Sequence, residues 1–413
     1  MRISGNLLNE SSTEARLQTW AAFLDPMLLS PLGMEEGCAA LTHWLGGSPV
    51  LGRAPTVSEL KSYLPKSLDS IASGVDMDGL GRAPFMPVRQ PTFRFVDLFA
   101  GIGGFRLALQ SCGGKSVFSS EWDRAAKATY FRNFGEVPFG DIRNFTGDIV
   151  DDEQLAKLIP DHEVLAAGFP CQPFSRAGVS ARRSLGIKDG FLCETQGTLF
   201  FDLIRIAKVK RPKVLILENV KNLASHDGGR TFAIIEEQIR ALNYSFSPRL
   251  LDAKVFLPQR RARYFMVCLA DGRSYDFPSS VLHGNASGLE SILEPVPAPE
   301  LTISTRMWEG HQNRTARNLA RGTGFTAFLA DIQKPANTLV ARYGKDGKEC
   351  LIPQEGKNPR MLSPRECARL QGFPEEFLLP SSRTAAYRQF GNSVAVPLVR
   401  KLAESVLQFS DVI

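Results

Sequence analysis

The chain has 413 residues, of which 43% are hydrophobic and 22% are charged, and its formal net charge is +6. These values are typical of a soluble globular protein with room for two or three domains, and the charge permits a polyanionic partner without requiring one. No apolar run reaches the roughly 18 residues of a membrane span, and the N-terminus lacks a signal-peptide layout, so we predict a cytoplasmic protein. The seven cysteines form no CxxC pair, which argues against a disulfide framework and against a zinc site.

Residues 1–90 are predicted to form a helical N-terminal extension, separate from the rest of the chain. Two capping-box patterns, at residues 11–14 and 56–59, precede apolar residues with helical spacing. Gly, Pro and Ser are frequent around them, so a large independent core is not expected. A small packing or partner-binding module is the leading interpretation, and a helix-turn-helix regulator is the alternative.

A glycine turn opens the next region. A strand-like run from Phe93 to Phe99 is followed by Ala-Gly-Ile-Gly-Gly at residues 100–104 and then by helical composition. Strand, glycine turn and helix together allow a ligand to approach the backbone and to lie over a helix N-terminus. The glycines do not complete the dinucleotide fingerprint, so a plain tight turn is the alternative.

Acidic residues follow the next two predicted segments. Glu121 lies about 20 residues after the glycine turn, the position from which a carboxylate in a doubly wound α/β fold binds ribose hydroxyls. Trp122 beside it could stack on an adenine ring, and Asp141 could accept from the adenine amino group. An exposed acid and a core tryptophan are the alternative. Together these segments predict a pocket for an adenosine-containing cofactor.

Cys171 is the predicted nucleophile. An apolar run from Val164 ends in Gly168, Pro170 and Pro173, which predicts a buried strand followed by a rigid turn that holds the thiol at the strand's carboxyl end. Open α/β sheets place their chemistry there. The alternative is an inert core cysteine. The basic, glycine-containing stretch 175–190 that follows is predicted to be a mobile lid.

Further polar residues follow the later strands. Glu218 ends a short apolar strand, where burial would raise the pKa of a carboxyl group and suit it to donate a proton. Gln259, Arg261 and Arg263 alternate ahead of and into another strand, so they are predicted to point together into the cleft and to bind phosphate or a base carbonyl.

From Phe93 to the C-terminus, the segments resemble in order the motifs of the DNA cytosine-5-methyltransferases. The resemblance rests on residues 97–104 (DLFAGIGG), 170–172 (PCQ), 218–220 (ENV), 259–263 (QRRAR), 364–374 (PRECARLQGFP) and 389–394 (QFGNSV). It implies an α/β fold with a Rossmann-like S-adenosylmethionine-dependent methyltransferase core, a smaller target-recognition domain and the helical N-terminal extension. The implied domains are the extension (1–90), the catalytic domain (91–270), the target-recognition domain (271–375) and a C-terminal return that completes the catalytic domain (376–413).

The resemblance also implies a reaction. Cytosine C5 is a poor nucleophile, so a thiolate must first add to C6, and the methyl donor is S-adenosylmethionine. The base must be flipped out of the duplex, and no metal is needed. The implied catalytic residues are Cys171, Glu218, Arg261 and Arg263. The implied cofactor residues are Phe99, Gly101, Gly103, Glu121, Trp122, Asp141, Ile142, Pro170, Leu199, Asn392 and Ser393. The implied DNA-facing residues of the lid are Gln172, Ser175 and Arg176.

Target recognition is assigned to the Pro-rich and then basic stretch from residue 271. Residues 338–352 are predicted to form a β-hairpin with Asp-Gly in the turn. This stretch and residues 186–202 resemble enzymes that modify the inner cytosine of CCWGG, CCNGG or CCGG sites. Arg342, Tyr343 and Lys345 are the candidates for contact with base edges or phosphates. Ser363 and Glu366 predict a capped helix start, and a last helix from Leu398 to Phe409 is predicted to pack on the core.

The leading hypothesis is a prokaryotic-type, site-specific DNA (cytosine-5)-methyltransferase. It would act on double-stranded DNA as a monomer, alone or beside a cognate restriction endonuclease. RNA is the rival substrate, but a recognition insert of this size favours duplex DNA. A non-enzymatic DNA binder is disfavoured by the intact catalytic set, and an oxidoreductase by the glycine pattern and the Pro-Cys-Gln turn.

Overall fold

The computed structural model describes residue 39, residues 42–43, and residues 83–147, 150–170, 199–284, 287–322 and 327–413. Both capping-box patterns of the N-terminal extension and the segment that contains Cys171 lie outside the described residues. Within the described part, no helix combines the length and apolar character needed to cross a bilayer.

A six-stranded sheet forms the centre of the fold. The strand order is β2-β1-β3-β4-β6-β5. The first four strands are parallel, and β6 runs antiparallel to both β4 and β5. The strands are β1 (Phe93–Leu98), β2 (Gly114–Ser120), β3 (Val164–Gly168), β4 (Val214–Val220), β5 (Ser247–Asp252) and β6 (Ala262–Leu269). The predicted α/β fold is confirmed, as are the strands predicted at Phe93, at Val164, before Glu218 and after Gln259.

Helices cover both faces of this sheet. They are α1 (Gly104–Ser111), α2 (Arg124–Phe134), α3 (Arg143–Thr146), α4 (Asp152–Leu158), α5 (Leu199–Lys210), α6 (Arg230–Ala241), α7 (Ser279–Leu282), α8 (Thr305–Ala320), α9 (Pro364–Leu370), α10 (Arg383–Asn392) and α11 (Val396–Phe409). Successive strand residues point to opposite faces. Phe95 and Val164 therefore belong to one apolar cluster, and Val96 and Leu165 to the other.

The C-terminal helix returns to the catalytic sheet, as predicted. Leu398, Leu402 and Val406 of α11 are buried in the same cluster as α1. Helix α9 begins with the predicted capping box, in which the Ser363 side chain accepts from the Glu366 backbone. The chain thus leaves the six-stranded sheet after β6 and packs against its apolar cluster again through its last helix.

The hairpin predicted at residues 338–352 is wrong. Residues 343–345 form a 3-10 turn, and the antiparallel pair lies further along, between β7 (Ile352–Gln354) and β8 (Lys357–Arg360). The turn of this pair contains Gly356, whose φ is +64°. The Asp-Gly pair at residues 346–347 does form a turn, because Gly347 also has a positive φ, of +64°. It closes a compact loop around Tyr343, whose hydroxyl donates to the Cys350 carbonyl.

Two helical glycines offer a matched test of this packing. A methyl group on Gly391 would lie 2.4 Å from backbone atoms of Val340 and Ala341, whereas one on Gly310 would meet nothing within 4 Å. Gly391→Ala should therefore lower the free energy of unfolding by about 1–3 kcal/mol through overpacking. Gly310→Ala should raise it by up to about 1 kcal/mol through helix propensity. Urea unfolding measures both, and equal effects of the two substitutions would contradict the packing described.

Candidate functional site

The glycine turn forms one wall of the site. Phe99 follows β1 with a φ of 58°, a strained conformation for a residue with a side chain. Gly101 has a φ of 56°, and a side chain there would meet nothing within 4 Å. The backbone N–H of Gly101 donates to the Glu121 carboxylate over 2.9 Å. The turn therefore leaves open space beside a carboxylate, as a ligand-binding turn requires.

The next two glycines allow close packing. A Cβ on Gly103 would lie 2.3 Å from the Phe134 ring. A Cβ on Gly104 would lie 2.8 Å from Ser393 Oγ and 2.7 Å from Val394. The first and last sequence motifs are thus in direct contact. Asn392, at the end of α10, is exposed beside them.

Glu121 and Trp122 lie at the carboxyl end of β2. The Glu121 carboxylate also accepts from the Asp123 N–H over 2.8 Å, and burial raises the pKa of this carboxyl group. The Trp122 side chain is 77% exposed. A large aromatic surface left in solvent beside a half-buried carboxylate is available to stack on a flat ring.

Asp141 lies on the loop that follows α2. Its carboxylate pairs with Arg143, and although burial opposes the effect, the hydrogen bonds from Arg143 lower the pKa of Asp141. The side chain of Ile142 is 2% exposed, so only its main chain remains for contact with a ligand. Sequence reasoning missed Asp202 on α5, which accepts from the Thr146 hydroxyl over 2.6 Å. Burial raises the pKa of Asp202 to about 6. No sequence pattern indicated this position, because an acidic residue inside a helix is usually exposed to solvent.

The neighbouring ends of β3 and β4 form the candidate catalytic edge. Gly168 pairs with Glu218 in the parallel register. Glu218 is 9% exposed, and its carboxylate lies 3.2 Å from Arg263 Nε. Burial raises the pKa of Glu218, while Arg263 and then Arg261 oppose the rise. A carboxyl group with a raised pKa beside an arginine is suited to donate or share a proton.

Asn219 was missed as a site residue. Its side-chain amide donates to the Phe169 carbonyl over 2.9 Å. That bond fixes the backbone at the exit of β3, where the exposed Pro170 precedes Cys171. Leu199 begins α5 and is half-buried against the apolar cluster that contains Phe169. Cys171, Gln172, Ser175 and Arg176 lie outside the described residues, so their roles remain predictions.

Gln259 and Arg261 do not point into the cleft with Arg263, contrary to the prediction. The strand begins only at Ala262, so alternation does not extend back to residue 259. Both side chains are buried. Arg261 donates to the carbonyls of Leu339, Gly391 and Ser393. Arg263 pairs with Glu218 over 3.2 Å, whereas Arg261 connects the start of β6 to the segments around Leu339 and Gly391. The catalytic role of Arg261 stays a prediction.

The predicted DNA-facing residues around position 343 divide into two groups. Arg342 and Lys345 are exposed. Tyr343 is fully buried, and its hydroxyl accepts from the Leu362 N–H over 2.8 Å. The prediction that Tyr343 contacts DNA is therefore wrong, because its ring is a core residue. Among the described residues, no group of three or more His, Cys, Asp or Glu side chains is arranged to hold a metal ion.

Comparison with known proteins identifies similar sequences over most of the chain. A family model described as C-5 cytosine-specific DNA methylase matches residues 93–408. Type II methyltransferase M1.ScrFI of Lactococcus lactis subsp. cremoris is 47% identical, over 79% of this chain and 81% of its own. Type II methyltransferase M.SsoII of Shigella sonnei is 45% identical, over 92% of this chain and 93% of its own.

The fold is also found in solved structures. The Dnmt2 methyltransferase of S. pombe superposes with a TM-score of 0.61 at 16% identity, over 76% of this chain and 98% of its own. A DNMT2 mutant of Spodoptera frugiperda gives a TM-score of 0.58 at 20% identity, over 76% and 99%. At these identities the similarity concerns the fold alone.

The raised pKa of Glu218 predicts a pH dependence of stability. A carboxyl group with a higher pKa in the folded chain contributes stability that is complete below its unfolded pKa and is lost as the pH rises through the folded value. The free energy of unfolding of the wild type, minus that of Glu218→Gln, should therefore fall as the pH rises from the acidic range, where the carboxyl group is protonated in both states, into the neutral and alkaline range. Urea unfolding across this range measures the difference. A difference that rises with pH would show that Arg263 outweighs burial.

Proposed function

The chain belongs to the C-5 cytosine-specific DNA methylase family, and on that premise we propose how its own residues carry out site-specific methylation of cytosine C5. The observation that carries the proposal is the buried Glu218 at the carboxyl end of β4, beside Arg263 and next to the strand that leads to Cys171. An acid and a nucleophile on adjacent strand ends can act on one ring.

We assign the cofactor site to the turn and acids at the carboxyl ends of β1 and β2. The open space over Gly101, the exposed Trp122 ring and the Glu121 carboxylate fit an adenosine group. S-adenosylmethionine bound there supplies an electrophilic methyl group. Glu121 would accept from the ribose hydroxyls, Asp141 from the adenine amino group, and Phe99 and Trp122 would contact the ring. The assigned set also includes Gly103, Ile142 through its main chain, Pro170, Leu199, Asn392 and Ser393.

The chemistry on the base begins with the thiol. Cys171 Sγ, as thiolate, forms a bond to cytosine C6, and the electron pair moves toward N3. Glu218, protonated more readily because it is buried, donates to N3 and so neutralises the charge that develops there. Arg263 holds the Glu218 carboxyl group in place. C5 then has enamine character and takes the methyl group, which would leave S-adenosylhomocysteine. A water molecule removes the C5 proton, the electron pair of that bond restores the C5–C6 double bond and expels the Cys171 thiolate, and N3 returns its proton to Glu218.

Access to C6 and N3 requires a flipped base, at a cost of a few kcal/mol. Gln172, Ser175 and Arg176 follow the nucleophile closely in sequence. We propose that they contact the DNA at the gap that the flipped base leaves in the duplex. Arg342 and Lys345 are exposed on the recognition segment and are assigned to base edges or phosphates. The similarity to Type II methyltransferases supports a role beside a cognate restriction endonuclease. We further propose that the chain acts as a cytoplasmic monomer on double-stranded DNA.

The covalent step predicts trapping by 5-fluorocytosine. In the presence of S-adenosylmethionine, duplex DNA with 5-fluorocytosine at the target should give an adduct that survives denaturation and gel electrophoresis, because after methyl transfer C5 carries fluorine in place of the proton whose removal would expel Cys171. Cys171→Ala should give no adduct and no methylation while still binding DNA. Cys112→Ala is the matched control, because Cys112 is a free, half-buried thiol whose pKa is raised by burial. Turnover by Cys171→Ala, or an adduct lost in Cys112→Ala, would contradict the assignment.

The recognition assignment predicts a position-dependent loss of specificity. Bisulfite sequencing of DNA from cells that express the chain should show methylation of the inner cytosine at CCWGG, CCNGG or CCGG sites. If Arg342 contacts a base edge, Arg342→Gln should weaken DNA binding by about 1–3 kcal/mol and relax sequence specificity at one base position. If Lys345 binds phosphate, Lys345→Gln should weaken binding to all sequences and reduce the salt slope by about 1.

Arg273 provides the control for the recognition test. It pairs with Asp271 and Asp411 just beyond the end of β6. That end of β6 adjoins the start of β4, the edge of the sheet opposite Glu218. Arg273→Gln should therefore leave both the affinity for DNA and the methylated sequence unchanged. Unchanged DNA binding in both recognition variants would show that Arg342 and Lys345 lie outside the DNA interface.

A further inference from the structure

Part of the N-terminal extension packs against the cofactor side of the catalytic domain. Ala39, Thr42 and His43 are each 0% exposed. The Thr42 hydroxyl donates to the Ala39 carbonyl over 3.1 Å and accepts from the Val137 backbone N–H over 2.8 Å. His43 Nδ1 also donates to the Ala39 carbonyl, over 2.9 Å. These residues therefore form a short helical anchor against the loop at residues 135–142.

The ring of His43 completes the contact. It lies 4.9 Å from the ring of Phe139, centroid to centroid. On its other sides Phe139 stacks on Phe118 at 4.6 Å and meets Phe145 edge-on at 5.2 Å. Burial lowers the pKa of His43, so the imidazole is neutral at physiological pH and packs as an aromatic ring. The anchor thus closes an aromatic cluster beneath the loop.

The loop is held from its inner side as well. Glu136 is 1% exposed and pairs with Arg106, which is itself fully buried on α1. The Arg106 guanidinium also donates to the Tyr130 hydroxyl over 3.1 Å. Glu136 and Val137 are adjacent, so one residue is bound by α1 and the next by Thr42. The loop is therefore held at two adjacent residues, by α1 at Glu136 and by the anchor at Val137.

The clamped loop supports two of the assigned cofactor residues. The Phe139 carbonyl accepts from the Glu121 N–H over 2.8 Å, and the Phe139 N–H donates to the Ser119 carbonyl over 2.8 Å. Phe139 thus continues the sheet beside the end of β2 and fixes the backbone of Glu121. Two residues later the same loop presents Asp141. A shift at Val137 or Phe139 would move both carboxylates.

We propose that Thr42 and His43 are positioning residues for the cofactor, which they orient through the loop that joins Val137 to Asp141. This inference rests on the proposed cofactor site. The family match begins at residue 93, so the anchor lies outside the shared catalytic region. It gives the N-terminal extension a role in cofactor binding that its composition did not predict.

The test measures affinity for S-adenosylhomocysteine by calorimetry with the full chain. Thr42→Val keeps the shape of the side chain but leaves the Val137 N–H without an acceptor. Thr42→Ser retains the hydroxyl. We expect the dissociation constant to rise about tenfold in Thr42→Val and to stay within about twofold of wild type in Thr42→Ser. The KM for S-adenosylmethionine should rise in parallel, with kcat at saturating cofactor unchanged.

Ser245→Ala is the matched control for a purely structural role. Ser245 is also buried, and its hydroxyl accepts from the Leu269 N–H over 3.0 Å. This contact lies at the end of β6 that pairs with the start of β4, away from the cofactor side. Ser245→Ala should lower the melting temperature without changing the dissociation constant. If Thr42→Val behaves in the same way, the inference is overturned.

A second measurement covers the case in which Thr42→Val does not fold. Binding energies are reciprocal between coupled sites, so S-adenosylhomocysteine should slow hydrogen exchange in the wild-type peptide that contains residues 39–43. The exposed helix α8 serves as the reference and should not change. Unchanged exchange at residues 39–43 overturns the inference. If wild type binds no S-adenosylhomocysteine, the proposed cofactor site fails as well; if it binds and the anchor does not respond, only the inference fails.

Discussion

The buried guanidinium of Arg261 is the contact on which the assembly of this catalytic domain depends. A charged group in the interior must satisfy its hydrogen bonds or destabilise the fold. Here it donates to the carbonyls of Leu339, Gly391 and Ser393, which lie about 80 and about 130 residues further along the chain. Burial, and then repulsion from Arg263, lower the pKa of Arg261 to about 9, so it remains charged at neutral pH. One side chain thereby holds three distant parts of the chain together.

Gln259 belongs to the same junction, which lies beside the candidate site. Its amide donates to the Leu370 carbonyl and its oxygen accepts from the Leu339 N–H. With the return fixed in this way, Ser393 and Val394 pack against Gly104, and Asn392 is brought beside the cofactor turn. Glu218 and Arg263 lie on the paired strands β4 and β6. The Glu218–Arg263 pair and the glycine turn at residues 100–104 therefore both adjoin this junction, although their residues are far apart in sequence.

Local patterns predicted the elements well and the direction of side chains poorly. The strands around the site were predictable, because buried parallel strands are short apolar runs that end in glycine or an acid. The positions of Glu218 and of the turn at Gly101 followed from them. The directions of the Arg261 and Tyr343 side chains were predicted wrongly, because only tertiary contacts decide whether an arginine or a tyrosine faces a cleft or the core. Asn219, Asp202 and Thr42 were missed for the same reason, since their partners lie on other segments.

The chemistry proposed for this protein is the attachment of a methyl group to carbon 5 of cytosine. The direct measurement is nucleoside analysis by mass spectrometry of duplex DNA after reaction with purified full-length chain and isotopically labelled S-adenosylmethionine. We expect all label to appear in 5-methyldeoxycytidine. Label in N4-methyldeoxycytidine or N6-methyldeoxyadenosine, or no label in DNA when the cofactor is bound, would contradict it.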